Sequence, residues 1–286
     1  MTTQLDAPLA APGKVTTRDR RRIRVSWAVT RLVIQLACVA GFLLAWEYVP
    51  RIPGIAGDVK WLDPFFISAP SRVAESVWDL VAGNVPGASL WSYLYTTLFG
   101  TIVGATIGLV LGALAGLILS NSPKLSDVLR PFIVILNSVP RVALIPVIVI
   151  LVGPSRGASV ISVAMTVFFL GFFNAYEGGL TIQQAMLDNA KLLGAKKAAV
   201  MRTVRLPMVV IWTFAVVPNA ISFGLLSAVF TELLAGIPGM GTLLQSATVN
   251  VNADLMFAVV VILAVVGLVL YGLALKLRSA VIRWER

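Results

Sequence analysis

Residues 92–119 read SYLYTTLFGTIVGATIGLVLGALAGLIL, a run without a charged side chain. A helix crosses the roughly 30 Å of bilayer hydrocarbon in about 20 residues, so this stretch is long enough to span it. Within it Gly100, Gly104, Gly108, Gly112 and Gly116 recur every four residues and draw a slowly drifting stripe along the helix. Lipid supplies no hydrophobic drive between helices, whereas small residues in G-x-x-x-G register let two backbones approach closely. The stripe therefore reads as a packing face, for a helix of this chain or of a second copy.

Outward from this run the pattern repeats. Further apolar runs lie at about 28–49, 131–153, 158–180, 207–232 and 255–275, giving six spans. Of 286 residues 58% are hydrophobic and 13% charged, against about 25% charged in soluble domains, so the polar skin of a soluble fold is missing. The expected fold is all-α, a polytopic protein of the lipid bilayer, with a disordered basic tail at 1–24 and a transmembrane domain at 25–286. The tail's Lys14, Arg18 and four further arginines resemble the start of a signal peptide. No small-residue cleavage site follows closely, and 28–49 reads as a retained first span.

The net charge of +10 is distributed by side, which argues against a nucleic-acid partner. With the N-terminus in the cytoplasm, the tail, the 121–130 and 181–206 loops and the end from 276 hold seventeen Lys and Arg. The external segments hold four, Arg51, Lys60, Arg72 and Arg156. The positive-inside rule then puts both termini in the cytoplasm. Trp46, Tyr48, Trp91, Tyr93, Tyr95 and Trp284 fall at span ends as interfacial anchors. Ser71–Val81 has the spacing of a short helix lying in the interface.

The third span is interrupted by Asn137, Ser138, Pro140, Arg141 and Pro146, and the fifth by Pro218 and Asn219. Prolines at depth free backbone groups that protein or water must satisfy, so the breaks mark either a translocation pathway or a packing kink. A charge inside hydrocarbon costs on the order of 3 kcal/mol or more. Arg141 either lies in a water-filled vestibule that attracts an anion or snorkels from the end of its span. Glu232 closes the fifth span, as an interfacial carboxylate facing water that caps the turn-rich segment of Gly236, Pro238, Gly239 and Gly241, or as a solute contact. Asn137, Pro140, Arg141, Pro218, Asn219 and Glu232 are the candidate pathway or gate residues.

The 181–206 loop carries its own helical pattern on either side of Gly194, with Lys191, Lys196, Lys197, Arg202 and Arg205 as a basic face and Pro207 at the root of the fifth span. Basic residues alone would also suit anionic lipid. Asp188, Asn189, Ala190, three residues, Gly194, nine residues, Val204, one residue, Leu206 and Pro207 resemble the E-A-A…G…I-x-L-P signature of membrane permeases of binding-protein-dependent ABC importers. Every interval agrees; Asp stands for Glu, Asn for the first Ala, and Val for Ile. Ser68–Val73 (SAPSRV), Ser138–Gly153 (SVPRVALIPVIVILVG), Glu232–Leu243 (ELLAGIPGMGTL) and Ala253–Val260 (ADLMFAVV) are similar to the nitrate, sulfonate and taurine branch.

The resemblance implies a five-helix type I core of an ABC transporter permease and an importer of a small solute, anionic or heterocyclic. It implies ATPase coupling through Asp188, Asn189, Ala190, Gly194, Val204, Leu206 and Pro207. The partners implied are a second permease subunit (homodimer or close heterodimer), two ATP-binding subunits and an extracytoplasmic solute-binding protein, at the bacterial inner membrane. No G-x-x-x-x-G-K-[ST] loop occurs, so ATP and Mg belong on the partner subunits, with no cofactor and no catalytic residue in this chain. One cysteine, Cys38, and no histidine leave no metal site of the usual kinds. The other readings are a polytopic membrane enzyme, which lacks a His base or clustered Asp, and an ATP-independent carrier.

Overall fold

The computed structural model describes residues 17–52, 64–85, 87 and 89–281; Lys60, Trp284 and the start of the tail lie outside the described residues. The chain divides into two compact units, Met1–Pro64 and Phe65–Arg286. No strand occurs among the described residues.

In the first unit α1 (Thr17–Tyr48) leads into a 3-10 turn, Val49–Arg51. The stretch Val29–Arg51, from α1 through the turn, has a mean hydropathy of 1.9 and is long enough to cross a membrane. The helix begins at Thr17, inside the segment expected to be disordered to residue 24. Arginine is a good helix former, and an apolar helix already formed behind it removes the cost of nucleation. Arg51 pairs with Glu47 one turn back and lies 5.9 Å over the Tyr48 ring.

The second unit runs α2 (Pro70–Ala82), α3 (Leu90–Ser120), α4 (Pro123–Ser138), α5 (Ile145–Val152), α6 (Arg156–Leu180), α7 (Gln184–Leu192), α8 (Leu206–Ala235), α9 (Met240–Val249) and α10 (Ala253–Val281). Among the described residues five helices are long and apolar enough to span a membrane, or six if α4 and the bent segment after it count as one span.

The centre of the unit is the pair α3 and α6, the most extensive helix contact. All five stripe glycines are buried. A Cβ on Gly104 would stand 2.6 Å from the Val163 Cβ, and one on Gly116 2.7 Å from that of Ala175, both on α6. The small residues thus set the distance between the helices, and the partner is a helix of the same chain. α8 closes the third side, where buried Ala105, Val163, Val167, Ala220 and Ala228 meet. α10 then packs on α8, α2 and α9.

Two local expectations are corrected. The third span is no straight run over 131–153: α4 starts at Pro123, within the supposed loop, ends at Ser138, and the following Arg141–Val152 turns away by 81°. Pro140 accounts for the break, because its ring disfavours helical geometry at Val139, which is extended (φ −70°, ψ 126°). The segment after Glu232 contains a ten-residue helix, α9, where turns alone were expected. The helix expected over Ser71–Val81 is present as Pro70–Ala82, with Val73 and Leu80 buried and Trp78 and Val81 exposed.

Candidate functional site

At one end of the second unit the 181–206 segment forms a finger. α7 ends with the Ala195 N–H donating to the Ala190 carbonyl at 3.0 Å and Gly194 at φ +73°. That is the six-to-one closure of a helix by a left-handed residue, a conformation cheap for glycine. Lys197–Val200 then begins a helix that continues through a wide π turn, Met201–Arg205, into α8, so that Lys197–Ala235 is one unit of 39 residues. The π turn stands where the Pro207 ring would otherwise crowd the carbonyl four residues back. Ala190, Val204 and Pro207 are half-buried, whereas Asp188, Asn189, Gly194 and Leu206 are exposed. At the tip Leu192 and Leu193 are 85% and 87% exposed, beside exposed Lys196 and Lys197. Leu187 anchors the root, in a cleft with Asn121, Met201 and Arg205.

A second site lies at the break between α4 and α5. Arg141 opens the 3-10 turn Arg141–Leu144, and its guanidinium donates to Asn137 Oδ1 one turn back. It lies 5.1 Å from the centre of the Phe169 ring, a cation–π contact. Its Nε–H is buried and finds no acceptor among the described residues. Arg141 and Asn137 line a cleft of about 320 Å³ with Thr166, Phe169 and Phe173 of α6 and Phe223 of α8. Pro140 forms the break itself. Pro218 is buried in α8 and does not line the cleft; Asn219 is exposed one turn before Phe223, on the same face.

Glu232, towards the far end of α8, is fully buried, not facing water. Its Oε2 accepts from the Thr97 hydroxyl at 2.8 Å and from the Gly241 N–H at 3.0 Å. Thr97 in turn accepts from the Met240 N–H at 3.0 Å. These two amides open α9, so a carboxylate and a hydroxyl from distant helices satisfy donors that its own N-terminus leaves unpaired. A Cβ on Gly239 would stand 2.7 Å from Oε1, so a side chain there would push the carboxylate off its donors. Glu232 thus caps the segment after α8 and stands apart from the Arg141 cleft.

Thr97, at Glu232, and Phe169 and Phe223, at the cleft, are not among the residues expected from the sequence. Thr97 was in reach, lying three residues before Gly100 on the glycine face. Nor is a further contact expected from the sequence: Ser68, buried at φ +61°, donates to Asp254, which Arg72 Nε approaches at 3.7 Å. The SAPSRV and ADLMFAVV stretches meet there.

The sequence model of a family described as binding-protein-dependent transport system inner membrane component matches residues 108–283, a range that holds the finger, the cleft and Glu232. The chain belongs to this family. As a permease component it is 24% identical over 252 residues to the taurine transport system permease protein TauC of Escherichia coli, covering 87% of this chain and 89% of that one. It is 26% identical over 272 residues to the riboflavin transport system permease protein RibX of Chloroflexus aurantiacus, covering 95% and 96%. A putative aliphatic sulfonates transport permease protein, SsuC of Escherichia coli, is 25% identical over 86% of this chain and 89% of its own length. Among solved structures, a chain of the inward-facing MetNI methionine ABC transporter superposes on the permease with a TM-score of 0.59 at 19% identity, over 67% of this chain and 95% of that one. The fold is that of an ABC importer permease.

Proposed function

We propose that this permease component forms, with a second copy or a close homologue, the path of an ATP-driven importer for a small anionic or heterocyclic solute. Two separate ATP-binding subunits drive it through the Asp188–Pro207 finger, and an extracytoplasmic binding protein delivers the solute. ATP and Mg sit on the partner subunits, and the finger and both termini are cytoplasmic. The observation that carries the reading is mechanical continuity: the finger's second helix runs unbroken into α8, and α8 carries Phe223 at the cleft. Displacing the finger as a rigid body therefore displaces a cleft wall without any chemistry in this chain. The relatives named for transport of taurine, aliphatic sulfonates and riboflavin span both solute classes.

The test is solute uptake into proteoliposomes that hold the assembled complex, with ATP on the finger side and the binding protein on the other. Uptake should require both. Uptake at an equal rate without ATP would replace this reading with that of an ATP-independent carrier.

A further inference from the structure

Nearer the finger, α4 and α6 enclose a second cleft, with Arg130 on one wall and Glu177 on the other, and Phe172, Phe173 and Tyr176 of α6 between them. Its volume of about 180 Å³ is well below the roughly 300 Å³ at which ligand sites begin, so it is a gap between helices and not a seat for a solute. The opposite charges across it are not joined: no ion pair among the described residues includes Arg130 or Glu177. Glu177 is the only acid of α6, α3 behind it has no charged residue, and the only other acid of α4 is Asp127, three residues before Arg130. The two walls differ in firmness. α6 is packed along α3 through the glycine stripe, and Tyr176 stacks on Phe172 with ring centres 5.9 Å apart. Of the sixteen residues of α4, by contrast, only Ser126 is buried, and its hydroxyl is hydrogen-bonded to that of Tyr176. Pro131 stands inside α4 next to Arg130, where it removes a helical hydrogen bond to the Asp127 carbonyl and lets the helix bend. Ser126, Arg130, Ile133 and Asn137 share one face of α4. Arg130 is thus one turn from the contact that holds α4 to α6, and Glu177 is beside it, so a small tilt of α4 and a change of rotamer bring the two charges together.

We propose that Arg130 and Glu177 are the halves of an ion-pair latch, open in this structure, that shuts the finger's end of the groove between α4 and α6 when the ATP-binding subunits drive the finger. The proposal rests on the importer reading above and adds α4 to it as a second moving wall beside α8. α6 passes into the finger at Thr181, one turn after Glu177, so a thrust on the finger reaches the Glu177 wall directly. Phe173 lines both this cleft and the larger one at Arg141, which places the latch between the larger cleft and the finger. The chemistry suits a contact that must open in every cycle. Across a wet gap the two charges attract weakly, and narrowing of the gap between aromatic walls expels water and strengthens the pull. The pair stays exposed enough that water can part it again.

The first test asks for contact with both charges kept. In the assembled complex of Arg130→Lys in nanodiscs, a zero-length carbodiimide joins an ammonium to a carboxylate only where the two touch, and mass spectrometry of the digest reports the link from position 130 to Glu177. ATP with vanadate, which traps the ATPase subunits closed, should raise its yield up to about fivefold over the nucleotide-free complex, the equilibrium factor of a good exposed ion pair. Equal yields in the two states overturn the latch. The second test exchanges the charges. Stimulation of ATPase activity by the binding protein should fall in Arg130→Glu and in Glu177→Arg and return in large part in the double exchange, because an ion pair is indifferent to which helix carries which sign. A double variant as impaired as the single ones overturns the proposal, and so does a loss in Asp127→Asn equal to that in Glu177→Gln, which would pair Arg130 within its own helix. Should a reversal fail to assemble, the cross-link on the lysine variant decides the matter. The unmodified complex separates the two levels: cross-linking indifferent to nucleotide beside intact stimulation overturns the latch alone, whereas absent stimulation counts against the importer reading itself.

Discussion

At the scale of single residues the tightest arrangement is Glu232 with Thr97 and Gly241. A carboxylate buried among helices is seldom tolerated without partners. Here its Oε2 accepts two hydrogen bonds, and one of the donors, Thr97, passes the interaction on to Met240. Glu232→Ala strands the Thr97 hydroxyl and the Gly241 amide in a dry interior, at about 1–3 kcal/mol for each group. The variant should therefore melt well below the parent. Glu232→Gln keeps one acceptor oxygen and should lose about 1 kcal/mol. Melting of the purified permease in one detergent, followed by its tryptophan fluorescence, gives both values. Indistinguishable midpoints for the alanine variant and the parent would show that the capping network contributes nothing to stability.

At the scale of elements the finger depends on one backbone conformation. Gly194 has φ +73°, and a Cβ built there has nothing within 4 Å, so only the dihedral and not crowding penalises a side chain. The left-handed region costs an ordinary L-residue about 1–2 kcal/mol, more for β-branched residues and less for Asn. Binding-protein-stimulated ATPase activity should therefore fall in the order Gly194, Gly194→Asn, Gly194→Ala, Gly194→Val, with the complex still assembling. Stimulation that is equal in Gly194→Val and the parent removes the finger from the coupling path. The finger was legible in the chain because its signals are local: a permissive residue between two apolar-periodic stretches, then a proline. The break after Ser138 was legible for the same reason, from Pro140. α9 was not, since its sequence, MGTLLQSATV, has no side-chain cap of its own and receives its N-terminal acceptors from Glu232 and Thr97. The cleft was half legible: Asn137 and Arg141 announced themselves as polar residues in an apolar run, but the rings that wall it come from α6 and α8, whose many phenylalanines look alike in one dimension. The glycine stripe likewise announced a close approach, and only the assembled helices name α6 as what approaches.

For the molecule as a whole, sidedness decides whether the finger can meet an ATPase. With the N-terminus in the cytoplasm, as proposed, alternating spans assign seventeen Lys and Arg to cytoplasmic segments and four to external ones. Lys and Arg in short loops resist translocation, and this asymmetry is the physical ground for proposing that the finger faces inward. The bent segment does not upset the alternation, provided that α4 with the residues up to Val152 traverses the bilayer once; were it to dip in and return, every later loop would exchange sides. The finger and α9 flank α8 and therefore must lie on opposite sides in either case. Chemistry can read which is which, because the chain has a single cysteine. In a Cys38→Ser background, a thiol at Asn250, exposed just past α9, should react with a membrane-impermeant maleimide added to intact cells or right-side-out vesicles. A thiol at Lys197, exposed on the finger, should react only after the membrane is opened. Placement of a third thiol at Lys124, exposed at the start of α4, then tests the single traverse: it should share the accessibility of Lys197. Labelling of Lys124→Cys together with Asn250→Cys from outside would make the bent pair a re-entrant hairpin, and labelling of Lys197→Cys in sealed vesicles would invert the molecule and detach the finger from any ATPase in the cytoplasm.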